Sequence, residues 1–145
     1  MSSRIDFYKA SPGAIKSLLV VEEHIAKSSL EKPLTELVRL RASQINGCAY
    51  CLNMHASDAR KAGETEQRLA TLSAWRETPY FTERERAALE WTEALTLVAE
   101  TRAPDSAYDT VSAQFSDTEL ADLTLLISII NTWNRFAIGF RKLPA

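Results

Sequence analysis

Residues 36–55, ELVRLRASQINGCAYCLNMH, read as the end of one helix and the beginning of the next. Leu34, Leu37, Val38 and Ile45 recur at helical spacing after Pro33. Asn46-Gly47 then supplies the left-handed residue that commonly closes a helix. Cys48 therefore falls at or just before the start of a further helix, which runs to about Ala62 with Gly63 as its stop. Cys48 and Cys51 are the only cysteines of the chain, and His55 is one of its two histidines. The reactive side chains are gathered where the two helices meet.

Working outward, helix signals continue on both sides. Ser11-Pro12 places a cap before a proline at the first helical position, and Ile15, Leu18, Leu19, Glu22, Ile25 and Ala26 then step at helical intervals to about Ser28. After Gly63, Thr65 caps a helix carrying Leu69, Leu72 and Trp75. Thr82 and Glu85 make a capping box before ERERAALEWTEALTLVAE. A turn at Ala103-Pro104-Asp105 leads to a short helix over residues 106–114. Ser116 and Glu119 form a second capping box that opens the last helix, apolar on most sides and so expected at the centre of the fold or against another subunit. With four glycines, five prolines and no sustained alternation, the expectation is an all-α domain spanning 1–145, of about six to eight helices, with the C-x-x-C at the N-terminus of a central one.

The totals narrow the function. A chain of 145 residues with 46% hydrophobic and 25% charged content reads as one ordinary globular domain. A net charge of -2 gives no basic footprint for nucleic acid. The run from Leu120 to Ile130 is interrupted by Asp122, Thr124 and Ser128 and is well short of the roughly 20 residues of a membrane span. MSSRIDFYKASPGAIK lacks the apolar region of a signal peptide, so the expected location is the cytoplasm. In that reducing compartment a C-x-x-C points to redox or metal chemistry before a structural staple.

On a helix, Cys51 and His55 lie on one face at neighbouring turns. A helix N-terminus and an imidazole both favour the thiolate. An unperturbed thiol is roughly 3% ionised at pH 7. Lowering its pKa to about 6.5 raises that about 25-fold but costs roughly 8-fold in nucleophilicity, for a net gain of about threefold. Proton delivery to a leaving group, worth about 10² to 10⁴, is thus the larger task for His55. Glu36, on the preceding helix, is the candidate to orient His55 or take its proton. A sulfenic acid on one thiol would be met by the other, giving a disulfide for an outside dithiol to reduce.

The pattern E-x11-C-x2-C-x3-H, met by Glu36, Cys48, Cys51 and His55, resembles the signature of the AhpD-like alkylhydroperoxidases within the carboxymuconolactone decarboxylase superfamily. The similarity continues through HASDARKAG, RLATLSAWRET, ERAALEWTEALT and INTWNRFAIGFR, covering roughly residues 15–142. The resemblance implies an all-helical trimer or hexamer that reduces hydroperoxides, with no bound cofactor and with electrons returned by a lipoyl-type or thioredoxin-like dithiol partner. It also implies roles. Cys51 would be the peroxidatic thiol, Cys48 the more exposed resolving thiol and Glu36 the distal proton acceptor. Tyr50 stands where some members of the family carry a further histidine.

Two other readings of the same residues stand beside this one. The pair can serve a general disulfide oxidoreductase or redox-responsive protein. Alternatively, Cys48, Cys51, His55 and Glu36 can be zinc ligands of a structural module, although structural zinc sites usually draw on two separated ligand pairs. His24, among Glu22, Glu23 and Lys27, reads as a surface histidine. Trp75, Trp91, Trp133 and Phe136 read as core or subunit-contact residues, and residues 83–86 as a solvated first turn. Asn131, Asn134 and Arg135 sit in a strongly apolar helix, so each requires a polar partner, an acid from another helix being the candidate for Arg135.

Overall fold

Pro33 near the start of a helix and Gly47 after its end bound the segment on which the others pack. The computed structural model describes residues 1–145 and is all-helical. In chain order the helices are α1 (Phe7–Ala10), α2 (Pro12–Lys27), α3 (Lys32–Asn46), α4 (Ala49–Lys61), α5 (Glu66–Thr71), α6 (Glu83–Thr96), α7 (Val98–Thr101), α8 (Asp105–Ser112) and α9 (Asp117–Gly139). A 3-10 segment, Leu72–Glu77, follows α5. Both expected capping boxes form, Thr82 with Glu85 and Ser116 with Glu119.

The centre is α3, which touches α4, α6 and α9. Leu34 and Val38 face a large core shared with Ile25 of α2, Trp91 of α6, Val111 of α8 and Leu123, Leu126 and Ile127 of α9. Leu37 and Leu40 face a second core with Ala59 of α4, Leu72, Trp75, Phe81 and Leu89. The helix therefore carries two apolar stripes. What remains between them is a polar stripe, Lys32, Thr35, Glu36 and Arg39, at helical spacing. Thr35, Glu36 and Arg39 are nonetheless buried, because α2 and α4 close over them.

The last helix is central, with Leu123, Leu126 and Ile130 fully enclosed. Its polar residues are paired within the chain. Asn134 accepts from Asn46 at 2.9 Å and donates to Ser43, and Asn131 donates to Thr96 and to the Ile127 carbonyl. Arg135 donates to the backbone carbonyl and side chain of Asn131, so its partner is the preceding helical turn and not an acid. His24 pairs with Asp122 at 2.8 Å on the exposed side of α2.

Three expectations need correction, and one helix was not anticipated. The helix beginning at Glu83 breaks at Leu97, whose backbone leaves helical geometry, and Val98 is exposed. The helix after Thr65 lasts only to Thr71 before tightening to 3-10, with Ala74 out of helical conformation. Residues 83–86 are more than a solvated turn. Arg84 joins Glu31, Glu119 and the Gln114 carbonyl, Glu85 pairs with Arg68, and Arg86 binds the carbonyls of Trp75 and Thr78. Finally, α1 carries no amphipathic repeat long enough to read, yet it is anchored. Phe7 is buried with its ring 5.4 Å from that of Phe136 and 5.8 Å from that of Phe140, and Arg4 ties its lead-in to Gly139 and Phe140.

Candidate active site

Gly47 has φ 74°, the left-handed turn that Asn-Gly announces, and its N–H closes α3 on the Ser43 carbonyl. The Cys48 N–H bonds to the same carbonyl. Cys48 thereby becomes the cap of α4, its Sγ accepting the Cys51 N–H at 3.3 Å. The sulfurs are joined in a disulfide, with the Cα atoms 5.3 Å apart. Both cysteines pack against Ala137 of α9, and Tyr50 lies over them.

Cys51, Met54, His55 and Asp58 share one face of α4, and all four line a cavity of about 530 Å³, within the usual range for small-molecule sites. Leu19, Ile25, Leu30, Trp133 and Ala137 supply much of its apolar wall. Phe7, Tyr8 and Tyr50 close one side. Cys48 and Cys51 are each only 1% exposed, so Cys48 is not the more accessible thiol that the family resemblance implies. The capping position turns Cys48 inward beneath the first turn of α4, and Cys51 is the sulfur on the cavity wall.

His55 and Glu36 meet as the sequence suggests, Nδ1 to Oε2 at 3.0 Å, with residue exposures of 7% and 4%. Burial works against the Glu36 carboxylate. The hydrogen bond from His55 and the charges of His55, Arg39 and Lys32 outweigh that, holding its pKa below the ordinary carboxylate value. An ionised carboxylate only accepts, so Nδ1 carries the hydrogen and Nε2 is left to exchange a proton in the cavity. Lys32 stands 3.6 Å from the other carboxylate oxygen, but its side chain is largely in water and adds little.

Glu22 and Arg39 form a second pair on the same cavity. Arg39 donates twice, at 3.0 and 2.6 Å, and the Trp133 indole N–H donates to Glu22 at 2.9 Å. Burial again opposes the Glu22 charge, and the Arg39 fork, the indole and the nearby His55 reverse it, so this carboxyl too is held low. Neither Glu22 nor Arg39 stood out in the sequence, where Glu22 occupied a place in an apolar series. The signal was available in α3, whose polar stripe makes Arg39 a buried cation in need of an acid. Asp58 was also missed, although it lies seven residues after Cys51 and three after His55 on the cavity face of α4.

The four zinc ligands considered from the sequence are not brought together as one set of free donors, since the two sulfurs are bonded to each other. The side chains whose donor atoms lie within 4.8 Å of one another are Glu36, His55 and Asp58.

Comparison with known proteins places this geometry. Residues 8–94 match the Carboxymuconolactone decarboxylase family. The uncharacterized protein YdfG of Bacillus subtilis is 43% identical over 139 residues, covering 96% of this chain and 95% of the relative. A crystal structure from Agrobacterium tumefaciens, the protein of unknown function Atu0492 given as an AhpD-type antioxidant defence protein, superposes with a TM-score of 0.96 at 47% identity, covering 99% of both chains. The debrominase Bmp8 shares the fold, with a TM-score of 0.80 at 16% identity over 94% of this chain and 74% of that one. The chain belongs to the carboxymuconolactone decarboxylase family and is AhpD-like within it.

Proposed function

We propose that this chain is a thiol-dependent peroxidase in which the Cys51 thiolate attacks a hydroperoxide, Cys48 resolves the product, and His55 with Glu36 carries the proton. The observation that carries this reading is the shared cavity, whose wall presents Cys51 and the buried His55–Glu36 pair, with Cys48 already in bonding contact behind. The AhpD-type designation of the 47% identical structure supports it.

In the reduced protein the Cys51 thiol yields its proton to Nε2 of His55. The thiolate attacks the terminal oxygen of the hydroperoxide and the O–O bond breaks. The imidazolium, held by Glu36, returns the proton to the departing alkoxide, giving an alcohol and a sulfenic acid on Cys51. Cys48 sulfur then attacks Cys51 sulfur, the S–O bond breaks, and hydroxide leaves as water. The sum is two thiols and a hydroperoxide converted to a disulfide, an alcohol and water. An external dithiol, lipoyl-type or on a thioredoxin-like protein, returns two electrons and two protons.

The working unit is a homo-oligomer, trimer or hexamer, of single domains spanning 1–145, and its location is the cytoplasm. No helix of the chain is long and apolar enough to cross a membrane.

The test is consumption of tert-butyl hydroperoxide with dihydrolipoamide as reductant, for wild type, Cys51→Ser and His55→Ala. Turnover lost in Cys51→Ser and reduced by about 10² or more in His55→Ala is expected. A wild type that leaves peroxide untouched while exchanging readily with oxidised dithiols would mark a general disulfide oxidoreductase instead.

A further inference from the structure

We propose that Asp58 is a relay residue that recharges His55 with a proton from bulk water between the two oxidative steps. The inference rests on the peroxidase reading above and extends it to a side chain with no role so far.

The two steps make unequal demands on one imidazole. His55 enters the first step already protonated by Cys51 and gives that proton to the alkoxide. It is then neutral at the moment when hydroxide must leave Cys51. The remaining thiol proton sits on Cys48, which is 1% exposed and absent from the cavity wall. Its sulfur accepts the Cys51 N–H in the first turn of α4. A proton drawn through the cavity at that moment lets hydroxide leave as water, and the Cys48 proton passes to the cavity as its sulfur closes on Cys51, so the overall balance is unchanged.

Asp58 is the side chain placed to deliver it. Its carboxylate oxygen and the donor atoms of His55 and Glu36 lie within 4.8 Å of one another. One water accepting and donating hydrogen bonds of about 2.8 Å at a tetrahedral angle spans about 4.6 Å. Asp58 is half-buried where Glu36 and His55 are buried, so of the three it is the one in contact with solvent. It takes part in none of the chain's ion pairs, unlike Glu22, which is occupied by Arg39, and Glu36, which faces Lys32. Its carboxylate is thus uncommitted to holding the fold.

The experiment is a single turnover of reduced protein with one equivalent of tert-butyl hydroperoxide, in the presence of EDTA so that no divalent cation contributes. Cys51 sulfenic acid is followed by dimedone capture and the disulfide by loss of alkylatable thiol. In Asp58→Asn the second phase should slow by about tenfold relative to the first, and added acetate should restore it by carrying the proton. Asp58→Glu should resemble wild type. Equal slowing of both phases without an acetate response would mark a merely structural residue and overturn the proposal, as would a variant indistinguishable from wild type. A wild type that forms no sulfenic acid would refute the peroxidase reading itself, an outcome separate from a wild type that turns over normally beside an unaffected Asp58→Asn.

Discussion

Replacing Glu36 by Gln removes one charge from the site and leaves its shape in place. Glu36 uses one oxygen to accept from His55 at 3.0 Å and faces Lys32 with the other at 3.6 Å. Gln has a single acceptor oxygen, so the two donors compete for it. The Lys32 side chain is 71% exposed and turns to water at little cost, which leaves the oxygen with His55. What is lost is the charge-assisted character of the bond. Bonds to a charged partner contribute about 1.5–3 kcal/mol, against about 0.5–1.5 for a neutral pair, a difference of about 1.4 kcal/mol or tenfold in the stabilisation of the imidazolium. Peroxide reduction by Glu36→Gln, measured by stopped flow at pH 7 on protein whose circular dichroism melt shows it folded, should therefore fall about tenfold. The His55→Ala variant should fall further, and the double variant should be no slower than His55→Ala, because Glu36 acts through the imidazole. A Glu36→Gln rate within about twofold of wild type, or additive losses in the double variant, would refute the reasoning.

Other consequences follow from the same contacts. Glu22 and Glu36 both titrate lower in the folded chain than the ordinary value of 4.5, so their contribution is whole at neutral pH, weakens as pH falls below that value, and is lost once pH passes below the folded-state values. Urea midpoints should accordingly drop between pH 6 and pH 3, and Glu22→Gln should flatten the drop while lowering the neutral-pH stability by about 1–3 kcal/mol, since Arg39 is left in a partly buried site. Gly47→Ala must hold an alanine at φ 74°, at a cost of about 1 kcal/mol in chemical denaturation and with slower disulfide formation, because the Cys48 cap hangs from this turn. Leu37→Ala opens a void in the second core and should cost about 2–5 kcal/mol by the same assay.

Local rules made the frame of the molecule readable. Capping boxes, the Asn-Gly stop and the proline starts are decided by atoms within a few residues, and Cys51, His55 and the Glu36 helix were placed by helical spacing alone. Where the reading stopped, the deciding atoms were distant in sequence. The docking of α1 depends on Phe7 meeting Phe136 and Phe140, far beyond the reach of any periodicity. The tightening to 3-10 after Thr71 goes with the burial of Leu72 and Trp75 in the second core, which a one-dimensional pattern does not contain. Arg84 looked like a solvated charge because its partners, Glu31 and Glu119, are separated from it by tens of residues. The burial of Cys48 is a subtler case. Its position as cap was legible, but which sulfur faces open space depends on where α2 and α9 lie.

The arrangement of α3 explains why the site is buried at all. A helix with one apolar stripe would turn its polar side to water, and Glu36 would be an exposed acid of little use to an imidazole. Here Leu34 and Val38 bind one core while Leu37 and Leu40 bind another, so neither side of the helix can be released to solvent without emptying a core. The narrow polar stripe between them is held inside, and its charges persist there only by pairing, Arg39 with Glu22 and Glu36 with His55. Apolar packing on both flanks thus fixes the acid–base pair against the cavity that receives Cys51. Asp58, half-buried one turn beyond His55 on α4, is the carboxylate proposed to recharge that pair with protons from solvent.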